Sequence, residues 1–153
     1  MSRPDELSEA EEFFHQQIPL TRAMGLRVTA DESGGFAVEA PVALNYNHLH
    51  TAFGGSINAV ATLAGYGVLW VGLRNDGAHF VIRESRIRFL RPIRETIRAV
   101  CEQPDPKQME ELRLTFRAKG KARITLQVRV EESGITAASF EGLFVALKVP
   151  TKN

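Results

Sequence analysis

A chain of 153 residues is long enough to bury a core without disulfide or metal staples, and short enough for one domain over 1–153. Its 44% hydrophobic and 24% charged residues suit a water-soluble globular protein, and a net charge of +1 excludes a general pull towards nucleic acid or an anionic membrane. The single cysteine, Cys101, excludes an intrachain disulfide and a multi-cysteine metal site. With the acidic start MSRPDELSEAEEFF, which lacks the basic and apolar regions of a signal sequence, it makes the cytoplasm the expected location.

Residues 1–20 read as a helix and a lead-in. Leu7, Ala10, Phe13 and Phe14 lie at helical spacing over 5–17, with acids in the first turns, and Pro19 ends the pattern. Two short strands, 26–30 and 36–40, flank the turn-forming run Asp31-Glu32-Ser33-Gly34-Gly35. Residues 41–53 have no periodicity and read as a loop. Gly54-Gly55-Ser56 then opens an apolar helix to about Leu73, stopped by Asn75-Asp76-Gly77. Its 17 uncharged residues from Ile57 to Leu73 approach the length of a membrane span, but Asn58, Thr62, Tyr66 and three glycines favour a helix buried in a protein core.

From His79 to Leu90 the period becomes two. One face would carry Val81, Arg83, Ser85, Ile87 and Phe89, and the other Ile82, Glu84, Arg86, Arg88 and Leu90. Strands follow at 96–102, 123–131 and 136–149. Asp105 and Pro106 suit the start of a helix reaching Gly120, although Leu112, Leu114 and Phe116 also alternate as in a strand. The predicted fold is α+β, a curved antiparallel sheet wrapped around one long central helix. Ala59, Ala61, Ala64, Gly65 and Gly67 would let the sheet approach closely.

The chemistry concentrates in Asn45-Tyr46-Asn47-His48-Leu49-His50-Thr51-Ala52-Phe53-Gly54-Gly55-Ser56. Two glycines at a helix start leave N–H groups uncovered at the positive end of the helix dipole, which suits a developing oxyanion. Asn45 and Asn47 could add neutral donors. The plainer reading is that the glycines allow close packing and the asparagines cap turns.

This run, continuing into ATLAGYG, resembles the thioesterase family typified by the C-terminal domain of YiiD. The likeness extends from about Ile18 to Leu147 and includes IPLTRAMGL, FLRPI, GKARITL and FEGLFVAL. It implies a hotdog fold, an acyl-CoA or acyl-carrier-protein thioester as substrate, and a homodimer or tetramer with the site between subunits. The expected catalytic donors are Asn45, Asn47 and Gly55, of which Asn47 matches an asparagine of the wider hotdog pattern, with Thr51, Phe53, Gly54, Ser56, Asn58, Thr62, Arg88 and Arg91 expected around the substrate. No cofactor or metal ion is expected. The chain departs from wider hotdog thioesterases in having Phe53 where they carry histidine and Thr62 where they carry a helix carboxylate. That leaves hydrolysis without its usual base. It keeps two alternatives open: decarboxylation of a malonyl thioester, as in some stand-alone members, and non-catalytic acyl binding.

Other residues are weaker candidates. His48 and His50 lie in the loop and offer a base, but their i, i+2 spacing without a third ligand makes no metal site. Asn58, Thr62 and Tyr66 fall on one helix face, and Ser85 is expected to point at that helix. Cys101 alternates with Ile97 and Ala99 and reads as core. Arginines 83, 86, 88, 91, 94 and 98 face only Glu84 and Glu95, and a second basic run holds Arg117, Lys119, Lys121 and Arg123. Either could hold phosphates or an acidic carrier protein. Neither has the interleaved aromatics of a nucleic-acid surface.

Overall fold

The computed structural model describes residues 4–149. Helix α1 (Pro4–Gln17) carries Asp5 and Glu6 in its first turn, where they complement the dipole, and buries Ala10 and Phe14. Pro19 does more than end it. It takes the first turn of a second helix, α2 (Pro19–Ala23), which the sequence reading does not include. Strands β1 (Arg27–Ala30) and β2 (Phe36–Pro41) form the expected hairpin. A short 3-10 turn (Val42–Leu44) leads into the loop before α3 (Gly54–Leu73). Then come β3 (His79–Phe89), β4 (Thr96–Cys101), α4 (Pro106–Lys119), β5 (Lys121–Glu132) and β6 (Ile135–Leu147). Asp105 caps α4 by accepting the Lys107 N–H at 2.9 Å, and Gly120 ends it at φ 71°, so the helical reading of that segment holds over the strand.

All six strands join one antiparallel sheet in the order β1-β2-β4-β5-β6-β3. Its concave face is the row of inward residues, among them Phe36, Val38, Ile97, Ala99, Leu126, Val128, Phe140 and Phe144, and α3 lies against them. Ten residues of α3 are buried, so the apolar segment is the core helix. Cys101 sits in that core. Its thiol is pushed up to about 12, first by burial and then by the Glu102 carboxylate, which removes it as a nucleophile.

Glycine sets how near the helix comes. A Cβ on Gly67 would lie 2.0 Å from Phe36 Cε1, and one on Gly65 would lie 2.7 Å from Phe144 Cζ. Both rings therefore occupy space that any other residue would fill.

Strand β3 corrects the strict alternation expected of it. The register against β6 skips Arg83, pairing Ile82 with Phe144 and then Glu84 with Leu143. This bulge puts Phe80 and Ile82 on the concave face, followed by Ser85, Ile87 and Phe89, and turns Val81 outward beside Val145. Ser85 does face the helix side, yet it remains exposed.

At the far end of the sheet, Glu132 ties β5 to the segment before β4, accepting N–H bonds from Arg94, Glu95 and Thr96 at 2.8–3.2 Å. Partial burial pushes its pKa up, but these donors outweigh that and hold it below the ordinary value. Arg98 is enclosed by Glu39, Asp31 and Glu131, so this member of the first basic run is a structural cation.

Gly67→Ala is expected to destabilise the protein by about 1–3 kcal/mol, because overpacking against Phe36 outweighs the ~1 kcal/mol gain in helix propensity. Phe36→Leu in the same chain should recover part of that loss. A denaturant midpoint equal to wild type for Gly67→Ala would show that the helix and sheet are not in fixed contact.

Candidate active site

The loop before α3 is folded by its asparagines. Asn45 is buried and donates both amide hydrogens to backbone carbonyls, those of Met24 at 2.9 Å and Pro41 at 2.8 Å. It clamps the end of α2 to the end of β2. Asn47 organises the loop itself. Its Nδ2 donates to Thr51 Oγ1 at 3.0 Å and to the Ala52 carbonyl, while its Oδ1 accepts from the Leu49 and Thr51 N–H groups at 2.9 and 3.2 Å. The backbone closes around it through Asn47 N to Thr51 O and a Tyr46–Ala52 bridge, and His50 takes a left-handed φ of 58°. The amide donors of both asparagines are spent within the fold. In this structure both asparagines hold the loop through these bonds.

The donors that remain are those of the helix. Phe53 occupies the N-cap position and offers no side-chain acceptor. Its own N–H goes to the Asn45 carbonyl at 2.7 Å, and the first bond of the helical ladder is Ile57 N to Phe53 O. The N–H groups of Gly54, Gly55 and Ser56 therefore have no acceptor among the described residues. They point out of the positive end of a 20-residue helix with no acid in its first turn.

Two phenylalanines frame these groups. The Phe53 ring lies so close to Gly55 that a Cβ there would sit 2.4 Å from it, and Phe89, at the end of β3, packs against Gly54. Beside them opens a cavity of about 350 Å³. Thr51 and Gly54 line one side, Phe89, Leu90 and Arg91 the other. Of the residues singled out in the sequence, Thr51, Gly54 and Arg91 line this cavity, and Phe53, Gly55 and Ser56 adjoin it along the chain. Arg88 does not: it pairs with Ser139 on the outward face of the sheet. Phe89 and Leu90 were missed as lining residues, and the only signal for them was the FLRPI likeness.

The polar stripe on α3 divides. Thr62 donates to the Asn58 carbonyl of its own helix at 2.8 Å, and both residues stay half-buried. Tyr66 belongs to an aromatic wedge, edge-on to Phe14 and Phe80 at 5.6 and 5.8 Å, so it is packing rather than lining. Burial raises its phenol pKa, with a backbone bond from Phe80 pulling the other way. His48 and His50 are both exposed, and His50 stacks on Tyr46 with ring centroids 5.2 Å apart. No cluster of three metal-ligating side chains occurs among the described residues.

Asn45→Ala removes the amide donors of one buried and one part-buried carbonyl and should cost about 2–4 kcal/mol. Asn47→Ala should cost about 1–3 kcal/mol by loosening the loop. Thermal melts read both; an unchanged melting temperature for either variant would return that amide to the list of donors available to a substrate.

A family model described as "Putative thioesterase (yiiD_Cterm)" matches residues 7–148. Among solved structures, a protein of unknown function from Chlorobaculum tepidum is similar with a TM-score of 0.85 at 27% identity, covering 93% of this chain and 94% of the other. A protein from Shewanella oneidensis described as a putative thioesterase is similar with a TM-score of 0.83 at 28% identity, covering 95% and 99%. A thioesterase from Haemophilus influenzae, at 14% identity, TM-score 0.67 and coverage of 96% and 94%, shares the fold. Matched over nearly all of its length and built as a curved sheet around one helix, the chain belongs to the YiiD_C thioesterase family and has the hotdog fold.

Proposed function

We propose that the protein hydrolyses an acyl thioester of CoA or a carrier protein, and that the α3 N-terminus binds the carbonyl oxygen. The observation that carries this reading is the set of free N–H groups at Gly54, Gly55 and Ser56 beside a cavity. When water adds to a thioester carbonyl, negative charge grows on that oxygen. Backbone dipoles fixed in advance stabilise it at no reorganisation cost, and the thiolate then departs. Arg91, Thr51 and Phe53 sit where the substrate would enter. Asn58 and Thr62 are proposed to line the acyl channel further along α3.

Water also needs a base, and none of the residues lining the cavity is a carboxylate or a histidine. That observation favours a second reading, decarboxylation of a malonyl thioester. There the bond to the carboxylate carbon breaks, CO₂ leaves, and the electron pair forms an enolate on the same oxyanion site. A proton from water then gives the acetyl thioester.

We infer further that the site is completed by a second copy of the chain. Strand β3 pairs only with β6, and every residue from Val81 to Arg86 is exposed. Phe89 and Leu90 are more than half exposed at its end, 55% and 57%. A long exposed edge with unpaired backbone groups and apolar Phe89 and Leu90 at its end favours pairing, and an antiparallel partner across a two-fold axis would satisfy it. Light scattering at micromolar concentration should give twice the 17.0 kDa chain mass, or a multiple of that. A stable monomer would overturn the shared site.

Gly55→Pro removes one N–H at a helix position that tolerates proline, whereas Gly55→Ala displaces the Phe53 ring equally and keeps the N–H. With acyl-CoA, acetyl-ACP and malonyl-ACP assayed by mass spectrometry, kcat for Gly55→Pro should fall roughly 10²–10³-fold below that of Gly55→Ala. Free acid as product supports hydrolysis, and acetyl-ACP from malonyl-ACP supports the second reading. Equal rates for the two variants would remove the helix terminus from the mechanism; tight binding without turnover would mark the protein as an acyl carrier.

A further inference from the structure

The edge of the sheet leaves part of α3 uncovered. Phe89, Ile87, Ser85, Ile82 and Phe80 follow one another along the concave face of β3. The first four are open to solvent at least in part, Ile82 at 37%, whereas Phe80 is buried at 4%. Two contacts fix how this row runs beside the helix. Phe89 packs against Gly54 in the first turn of α3, and Phe80 meets Tyr66 edge-on at 5.8 Å about three turns later. Between these contacts Asn58 and Thr62 follow Gly54 at successive i+4 positions, both half-buried. A strip between α3 and β3 therefore starts at the free N–H groups and runs towards Tyr66. The bulge makes it continuous, because without the skip at Arg83 the strand would turn Ile82 outward.

The far end of the strip is blocked. Tyr66 is the first large side chain on this stripe after Gly54, and rings from two elements wedge it in place. Phe14 of α1 meets it edge-on at 5.6 Å and is fully buried, Phe13 stacks on it at 6.2 Å, and Phe80 closes the β3 side. Tyr66 cannot swing aside without breaking the packing of α1 and β3 together, so it ends the strip rather than lining it. The walls before it suit an apolar chain. Ile82 and Ile87 come from β3, and the Thr62 hydroxyl is already satisfied by the Asn58 carbonyl at 2.8 Å.

We propose that Tyr66, wedged by Phe14 and Phe80, is the stop that limits acyl length, so that the protein selects straight chains of short to medium length. The proposal rests on the thioester reading, which places the carbonyl at the α3 N-terminus, and on the second copy that would cover the open side of the strip. From Gly55 to Tyr66 the helix rises about 16 Å. A van der Waals contact of about 4 Å at each end leaves roughly 8 Å, which an extended chain of about eight carbons fills. A longer chain must displace the wedge or fold back on itself.

Straight-chain acyl-CoA esters from acetyl to palmitoyl test the stop on the intact protein, with kcat/KM read for each. The values should rise to about eight carbons and fall roughly tenfold or more by twelve. Tyr66→Ala should raise the ratio of dodecanoyl to octanoyl kcat/KM by roughly tenfold or more. Tyr66→Leu keeps an apolar side chain in the wedge and should shift the ratio in the same direction. Thr62→Phe leaves the wedge intact and should move the limit the other way, to about four carbons or fewer, because it stands one turn nearer the donors. Thermal melts identify which variants are folded. An unchanged length profile in a folded Tyr66 variant or in Thr62→Phe overturns the stop, as does wild-type turnover of palmitoyl-CoA as fast as octanoyl-CoA. Calorimetry with thioether analogues of the same esters, which cannot be hydrolysed, separates the stop from the chemistry. If no ester is turned over but the analogues show the limit and its shifts, the thioester reading fails and the stop stands. If the esters are turned over without a length limit, the stop fails and the thioester reading stands.

Discussion

The contact between α3 and the concave face of the sheet is the constraint on which the structure depends. A helix apolar on nearly every side must be enclosed, and a sheet can enclose it only by curving around it. Phe36 and Phe144 project towards the helix axis into the space left at Gly67 and Gly65. With the helix pinned along its length, its N-terminus has one place to emerge, between the end of β3 and the loop that follows β2.

That emergence gives the site its character. A Ser, Thr, Asp or Asn at the N-cap would stabilise the helix by roughly 1 kcal/mol, and would cover one of the donors of the proposed site. Phe53 forgoes that stabilisation and leaves the terminus open. The loop is held instead by Asn45 and Asn47, whose amides satisfy the carbonyls and N–H groups that the turn would leave unpaired. Side-chain amides thus hold the loop, while the first N–H groups of the helix stay uncovered beside the cavity that Gly54 lines.

The sheet divides its arginines in a similar way. At the β1–β2–β4 end, Arg98 is surrounded by three carboxylates and cross-links neighbouring strands. At the α4 end, Asp76 takes both Arg113 and Arg117 and fixes α4 to the end of α3. Between these two centres Arg129 pairs with Glu131, whereas Arg83, Lys121 and Arg123 have no such partner among the described residues. A near-neutral chain therefore carries a locally positive surface.

The α+β class, the buried central helix, the edges of most strands and the helix start at Gly54 were legible in the sequence, because each is written in local periodicity and glycine or proline punctuation. The loop motif was legible as a place, and its resemblance to a thioesterase family was legible as well. Which amides in that motif are free was not. An asparagine reads alike whether it donates to a substrate or to a carbonyl, and the carbonyl of Met24 lies 21 positions from Asn45. The β3 bulge was hidden for a related reason, since an extra residue keeps the alternating composition while exchanging the faces before it. Likewise, six arginines in a row of sixteen residues look equivalent until the fold brings carboxylates to some and leaves others open. Local pattern determined the elements and the position of the site; pairing between distant residues, which only the tertiary structure decides, determined which groups are left free to act.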